Sequence, residues 1–239
     1  MTIPANRSSK VGGAVRILDA AREQIIIVGV GGRAARSSRN IPLSSRRQSM
    51  YSKDELAAIV RECSLKIAPE GEFFTLASGK KSRYYCDGKQ TCLDSRGAVL
   101  IGEGILELLQ QDPSLPDAVG GMTLGADPIC AAVITVAGMK GIDLKAFIVR
   151  KESKDHGTQK YIEGPVKAGD RVVVVEDVVT TGGSSLKAID RLEAAGIKVE
   201  GVVAILDRME GGARAFTDRG YTFRSLLKIT DFGLEPPQA

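Results

Sequence analysis

Arg171-Val-Val-Val-Val-Glu176, running straight on into Asp177-Val-Val-Thr-Thr-Gly-Gly-Ser-Ser185, is the most informative segment of the chain. Four consecutive β-branched apolar residues leave no polar face, which marks a strand buried on both sides of a parallel sheet. On either side of it, the patterning predicts strands near 83–87, 117–121, 144–149, 199–206 and 222–228, with 171–176 itself among them. Helices are expected near 53–67, 96–111, 126–138, 184–195 and 212–219. Strands alternating with helices of about ten or more residues imply right-handed βαβ units, hence an α/β fold with a doubly wound, mainly parallel sheet flanked by helices. Ligands bind such sheets at the carboxyl ends of the strands, so the residues beyond Val175 are the first candidates for a site.

Each part of that segment has a use. Glu176 and Asp177 close an apolar strand, where packing alone gives no reason for two adjacent charges. They suit a pair of vicinal sugar hydroxyls, which donate hydrogen bonds to carboxylates. Thr180, Thr181, Gly182, Gly183 and Ser184 then bring small side chains and backbone N–H groups to a helix N-terminus, where the dipole favours an anion such as phosphate. An ordinary strand-turn-helix with a serine cap would account for Gly182 and Ser184, but not for the acidic pair.

A second segment is Arg150-Lys-Glu-Ser-Lys-Asp-His-Gly157. It follows the strand expected at 144–149. Its tail through Gly164 has two glycines and no periodicity, which predicts a long mobile loop. Arg150, Lys151, Lys154 and His156 crowd into seven residues and repel one another unless a polyanion sits among them. A solvated basic loop is the ordinary reading of a bare charge run. His156 is the single histidine, which excludes any site built on two histidine ligands.

The net charge of +4 over 239 residues divides unevenly. Residues 1–49 carry nine basic and two acidic groups, whereas 50–239 carry 24 and 27. A mildly acidic body argues against a nucleic-acid partner. No apolar run approaches the roughly 18 residues of a membrane helix, so no membrane partner is expected either. The leader, 1–49, has no aromatic residue and is rich in Arg and Ser from Arg33 to Ser49. It is expected to be disordered, a transit peptide, or upstream sequence read from a wrongly placed start. Gly29-Val-Gly-Gly-Arg-Ala34 within it fits a dinucleotide fingerprint in spacing alone, since no amphipathic helix and no suitably placed acid follow. The main domain is expected to begin at Met50, because Ser52-Lys-Asp-Glu55 forms a capping box before the helically spaced Leu56, Ile59, Val60 and Cys63. Cys63, Cys86, Cys92 and Cys130 match neither a disulfide framework nor zinc spacing, which fits a reducing, cytoplasmic setting.

Val172 to Ser184, with its Glu-Asp and Thr-Thr-Gly-Gly-Ser, resembles the phosphoribosyl-pyrophosphate motif of the type I phosphoribosyltransferases. Arg150 to Gly157 resembles the catalytic loop of the orotate phosphoribosyltransferase family within them. Phe74-Thr-Leu-Ala-Ser-Gly-Lys-Lys-Ser-Arg-Tyr-Tyr85 resembles that family's N-terminal hood strand, and Ala204-Ile-Leu-Asp-Arg208 its base-contacting strand end. The resemblance runs from about Met50 to Asp231. It implies a type I phosphoribosyltransferase fold with a small hood near 70–95.

The same resemblance implies transfer of ribose 5-phosphate from phosphoribosyl pyrophosphate to orotate, with Mg²⁺ delivered mainly by the substrate and no dedicated metal cage. It implies that Glu176 and Asp177 hold the ribose hydroxyls, and that Val178, Val179 and Thr180 to Ser184 surround the 5′-phosphate. Orotate would meet Thr180, Arg208, Tyr84 and Tyr85; a bidentate arginine suits its carboxylate. Arg150, Lys151, Lys154 and His156 would act on the pyrophosphate, with Thr123 and Gly125 beside it. It further implies a homodimer with shared active sites. Lysines found in some members are absent here, at Ala77 and in Gly120-Gly-Met-Thr-Leu-Gly-Ala-Asp-Pro128. Two alternatives stay open at this point: a transferase for another base, and a regulator that binds phosphoribosyl pyrophosphate.

Overall fold

The computed structural model describes residues 10–11, 14–19, 24–29, 50–75, 81–152 and 161–236. The chain divides into two units, Met1–Arg47 and Gln48–Ala239. In the first, β1 (Lys10–Val11), β2 (Ala14–Asp19) and β3 (Gln24–Gly29) form an antiparallel sheet in that order, with Ala14 opposite Gly29. The patterning had assigned no strand here; the β-branched Ile25-Ile-Ile-Val28 run lies within β3.

The second unit opens with α1 (Lys53–Cys63), β4 (Leu65–Ile67), β5 (Phe74–Thr75), β6 (Lys81–Ser82), β7 (Tyr84–Cys86), α2 (Gly88–Cys92) and α3 (Ser95–Leu109). It continues through β8 (Ala118–Met122), α4 (Ala126–Met139), β9 (Lys145–Val149), β10 (Ile162–Glu163) and β11 (Arg171–Val179). Then come α5 (Gly183–Ala194), β12 (Lys198–Asp207), α6 (Gly212–Thr217) and β13 (Thr222–Lys228). The main sheet has the order β10-β9-β8-β11-β12-β13, parallel throughout except for the edge strand β10. The fold is therefore the α/β, doubly wound, mainly parallel sheet expected.

The four valines divide strictly by parity. Val173 and Val175 pack with Ile101, Ile105, Ile129 and Val133 of α3 and α4. Val172 and Val174 pack on the other face with Ile189 and Leu192 of α5 and Phe216 of α6. Burying each contributes about 1.5–3 kcal/mol relative to exposure, which is why neither face tolerates a polar residue. From β8 the chain crosses by α4 to β9 on one side, and from β11 by α5 to β12 on the other. The strand order thus reverses between β8 and β11, where a crevice opens at the carboxyl ends.

Several boundaries differ from the expected ones. Helix α1 stops at Cys63; the buried Ser64 hydroxyl lies 2.6 Å from that of Thr91, and Leu65–Ile67 pair with Tyr84–Cys86. Strand β11 runs past Glu176 to Val179, because β12 extends to Asp207 and supplies partners for Val178 and Val179. Helix α5 begins at Gly183. Ile162 and Glu163, assigned to a patternless loop, pair with Val149 and Ile148. Helix α2 and the short strand β4 were also not anticipated, whereas β5 and β6 fall within the Phe74–Tyr85 segment read as a strand. Among the described residues no helix is long and apolar enough to cross a membrane.

Candidate active site

Glu176 and Asp177 lie on β11 beside the switch point. Glu176 is 6% exposed, and its Oε2 accepts hydrogen bonds from the hydroxyls of Ser184 and Ser185, both at 2.8 Å. Burial, then the Asp177 charge, pushes its carboxyl up to about 7, against the lowering effect of the two serines. Asp177 Oδ1 accepts from the N–H of Val178 at 2.9 Å, and its Oδ2 is 3.9 Å from Nζ of Lys89. Both carboxylates face Gly125 after β8. A Cβ built there would stand 2.9 Å from Asp177 Oδ1 and 3.1 Å from Glu176 Oε1.

The chain then turns through Thr180 and Thr181 into α5. The N-cap, Gly182, has φ +79°, and a Cβ on it would stand 2.7 Å from Phe216 Cζ, so glycine is required twice over. No side chain caps this helix end. The first turn of a helix leaves N–H groups without intrahelical acceptors, and this one lies beside the acidic pair, since the Ser184 and Ser185 hydroxyls reach Glu176. The Thr180 carbonyl is held by the N–H of Gly212, and that of Val179 by the N–H of Arg208, each at 2.9 Å.

On the other side of the crevice, Thr123, Asp127, Ile148, Arg150, Lys151, Glu152 and Glu163 line a cleft of about 470 Å³. The Thr123 hydroxyl donates to Asp127 Oδ2 at 2.7 Å, and Asp127 Oδ1 is buried without a hydrogen-bond partner. Arg150 Nη1 lies 3.5 Å from Glu163 Oε1, with both side chains substantially exposed. Lys154 and His156 lie outside the described residues, as does Ala77.

A second cluster is built from β6, β7 and the end of β12. Arg208 is 4% exposed, and its guanidinium stacks 4.6 Å from the centroid of the Tyr84 ring. Its Nε is 2.7 Å from Glu210 Oε1, an ion pair whose atoms are not aligned for a hydrogen bond. One Nη lies 3.4 Å from the Ser82 hydroxyl. Burial raises the Tyr84 phenol above its ordinary range, the Arg208 guanidinium opposing, and its hydroxyl has no hydrogen-bond partner. Tyr85, by contrast, is 41% exposed, with its ring 6.1 Å from that of Phe74.

Cys63, Cys86, Cys92 and Cys130 are all free. Burial pushes the thiols of Cys86, Cys92 and Cys130 up to about 12, which makes them poor nucleophiles. Among the described residues no cluster of three or more His, Cys, Asp or Glu side chains forms a metal cage. The Glu176–Asp177 pair facing Gly125 fits a hard cation that brings its remaining oxygen ligands with a polyphosphate.

The phosphoribosyl transferase domain family matches residues 93–231. Orotate phosphoribosyltransferase of Rhodopirellula baltica is 47% identical over 186 residues, covering 76% of this chain and 96% of that protein. The chain belongs to the orotate phosphoribosyltransferase family. The fold is likewise similar to that of orotate phosphoribosyltransferase from Mycobacterium tuberculosis H37Rv, solved with Fe(III) dicitrate, at TM-score 0.66 and 40% identity. That match covers 76% of this chain and 99% of the other. The same enzyme in complex with 5-phospho-alpha-D-ribosyl 1-diphosphate matches at TM-score 0.63 and 37% identity, again over 76% and 99%.

Within this family's fold, the sequence-predicted residues Glu176, Asp177, Thr180 to Ser184, Thr123 and Gly125 converge on one crevice. Arg150 and Lys151 line the neighbouring cleft, and Arg208 stacks on Tyr84. Three neighbours had escaped the sequence reading. Ser185 shares Glu176 with Ser184, Lys89 faces Asp177, and Glu210 pairs with Arg208. Lys89 had a local signal, since Asp87 caps α2 and draws its Nζ to 2.6 Å. Glu210 could have been read as the acid two residues beyond Arg208.

Proposed function

We propose that the chain transfers ribose 5-phosphate from phosphoribosyl pyrophosphate to N1 of orotate, yielding orotidine 5′-monophosphate and pyrophosphate, a step of pyrimidine nucleotide synthesis. One observation carries this: an acidic pair and an uncapped glycine-led helix end meet at the switch point of the sheet, in a chain of this family.

In the reaction N1 of orotate gives up its proton to solvent, the C1′–N1 bond forms as the bond from C1′ to pyrophosphate oxygen breaks, and positive charge develops on the ribose in the transition state. Asp177 and Glu176 accept the ribose 2′ and 3′ hydroxyls. Val178 and Val179 end the strand against the phosphate loop, and Thr180 to Ser184 hold the 5′-phosphate. Thr180, Arg208, Tyr84 and Tyr85 hold orotate, with the guanidinium facing its carboxylate. Arg150 and Lys151, with Lys154, stabilise charge on the leaving pyrophosphate beside Thr123 and Gly125. His156 hydrogen-bonds or protonates the leaving oxygen. Mg²⁺, held by the acidic pair and the substrate's own oxygens, would neutralise pyrophosphate charge. The setting we infer is cytoplasmic, and the working unit a homodimer whose basic loops reach the partner's site.

The test is incubation with phosphoribosyl pyrophosphate, Mg²⁺ and orotate while pyrophosphate release is followed. Release with orotate, and not with adenine, guanine or uracil, is the expected result. Release with a purine alone would reassign the base, and tight binding without release would make the protein a regulator.

A further inference from the structure

Arg191 lies in the last turn of α5, the helix whose other end meets the phosphate loop. Its Nη1 donates to the carbonyl of Arg150, and its Nη2 to the carbonyl of Lys151 at 2.9 Å. Its Cζ stands 4.2 Å from the centroid of the Tyr161 ring, and Nη1 lies 3.9 Å from Met122 Sδ. One side chain thus touches the end of β8, the two residues after β9 and the residue before β10. The N–H of Arg150 also donates to the Tyr161 carbonyl at 2.8 Å, clasping the same two strand ends.

In an extended strand successive residues point to opposite sides. One guanidinium donating to two successive carbonyls therefore fixes a turn at Arg150–Lys151, and with it the direction in which those side chains leave the backbone. Both line the cleft that also holds Thr123 and Asp127. Only a planar fork with a stackable face makes all these contacts at once, and an ammonium cannot replace it.

We infer that Arg191 is a positioning residue for the transfer. It sets the turn from which Arg150 and Lys151 enter the pyrophosphate-side cleft, and ties that turn to the helix that receives the 5′-phosphate. Arg191 touches no substrate. The inference depends on the phosphoribosyltransferase reading above.

The experiment compares the unaltered protein with Arg191→Lys and Arg191→Ala in both reaction directions, alongside melting temperature. In Arg191→Ala, kcat should fall about tenfold to a hundredfold, the range expected when a reacting geometry slips by about an ångström. The KM for orotate should stay within about twofold while the KM for pyrophosphate rises in the reverse direction. Arg191→Lys should recover only part of kcat. The inference is overturned by an unchanged kcat in Arg191→Ala, by full rescue in Arg191→Lys, or by an orotate KM that rises in step with the loss. Should Arg191→Ala fail to fold, a wild-type kcat in Arg191→Lys overturns it alone, and a reduced one at unchanged melting temperature supports it. Absence of orotate turnover in the unaltered protein would strike the function reading instead, so the two failures stay distinct.

Discussion

The hydroxyl of Ser185 donates to Oε2 of Glu176 at 2.8 Å, on an oxygen that Ser184 also uses. Burial and Asp177 nevertheless lift that carboxyl to about 7 from 4.5. Between these values the folded chain keeps a proton that the unfolded chain has released. The protonated carboxyl's contribution is therefore full below pH 4.5 and is lost as pH rises through about 7. Urea unfolding at the two ends of this window should show a loss of roughly 3 kcal/mol from this group. Glu176→Gln stays neutral throughout and should lack that loss. An equal loss in the variant would assign the slope to another group.

Gly125 tests the crevice itself. Gly125→Ala places a methyl group 2.9 Å from Asp177 Oδ1 and 3.1 Å from Glu176 Oε1, so the carboxylates must move. The KM for phosphoribosyl pyrophosphate should rise about tenfold or more, while the KM for orotate changes far less. Equal changes in both constants would mean that the acidic pair does not serve the ribose.

Arg208→Lys probes base selection. The substitution keeps a charge but loses the fork, the stack on Tyr84 and the approach of Nε to Glu210. Loss of a charged hydrogen bond costs about 1.5–3 kcal/mol, so kcat/KM for orotate should fall roughly tenfold to a hundredfold. The KM for phosphoribosyl pyrophosphate should remain near its original value. Parallel weakening of both substrates would move Arg208 out of the base site.

The sheet was legible because two-sided burial demands a run such as Val172 to Val175, and no other local context does. The acidic pair was legible for the opposite reason, as charge where packing asks for none. The extent of α1 was not, since Ile67 continues the helical spacing of Ile59 and Cys63. What stops the helix is a distant pairing with β7 and the Ser64–Thr91 contact. Arg191 gave no signal at all. Its partners are backbone carbonyls 41 and 40 residues earlier, and carbonyls are the same in every sequence. Nor could spacing tell that the Ser184 hydroxyl turns inward to Glu176.

The leader is testable by truncation. Met1–Arg47 and Gln48–Ala239 are separate units, and every site residue named above lies in the second. We propose that a protein starting at Met50 keeps the melting temperature of the main domain and the kcat of the full chain. A large loss in either, measured by calorimetry and pyrophosphate release, would make the leader structural.

The homodimer can be tested by complementation. If Lys154 acts in the partner's pocket while Asp177 acts in its own, Lys154→Ala and Asp177→Asn are each inactive alone but complementary together. A heterodimer then has one pocket carrying both defects and one carrying neither. Equal mixing with full exchange makes about half the dimers mixed, each with one intact pocket of two, so activity should approach about a quarter of wild type. If Lys154 serves its own chain's pocket, every pocket keeps one defect and mixing restores nothing. Exchange is verified independently by labelling the two variants differently. No recovery with exchange confirmed would end the shared-site proposal and leave each subunit's chemistry to its own loop.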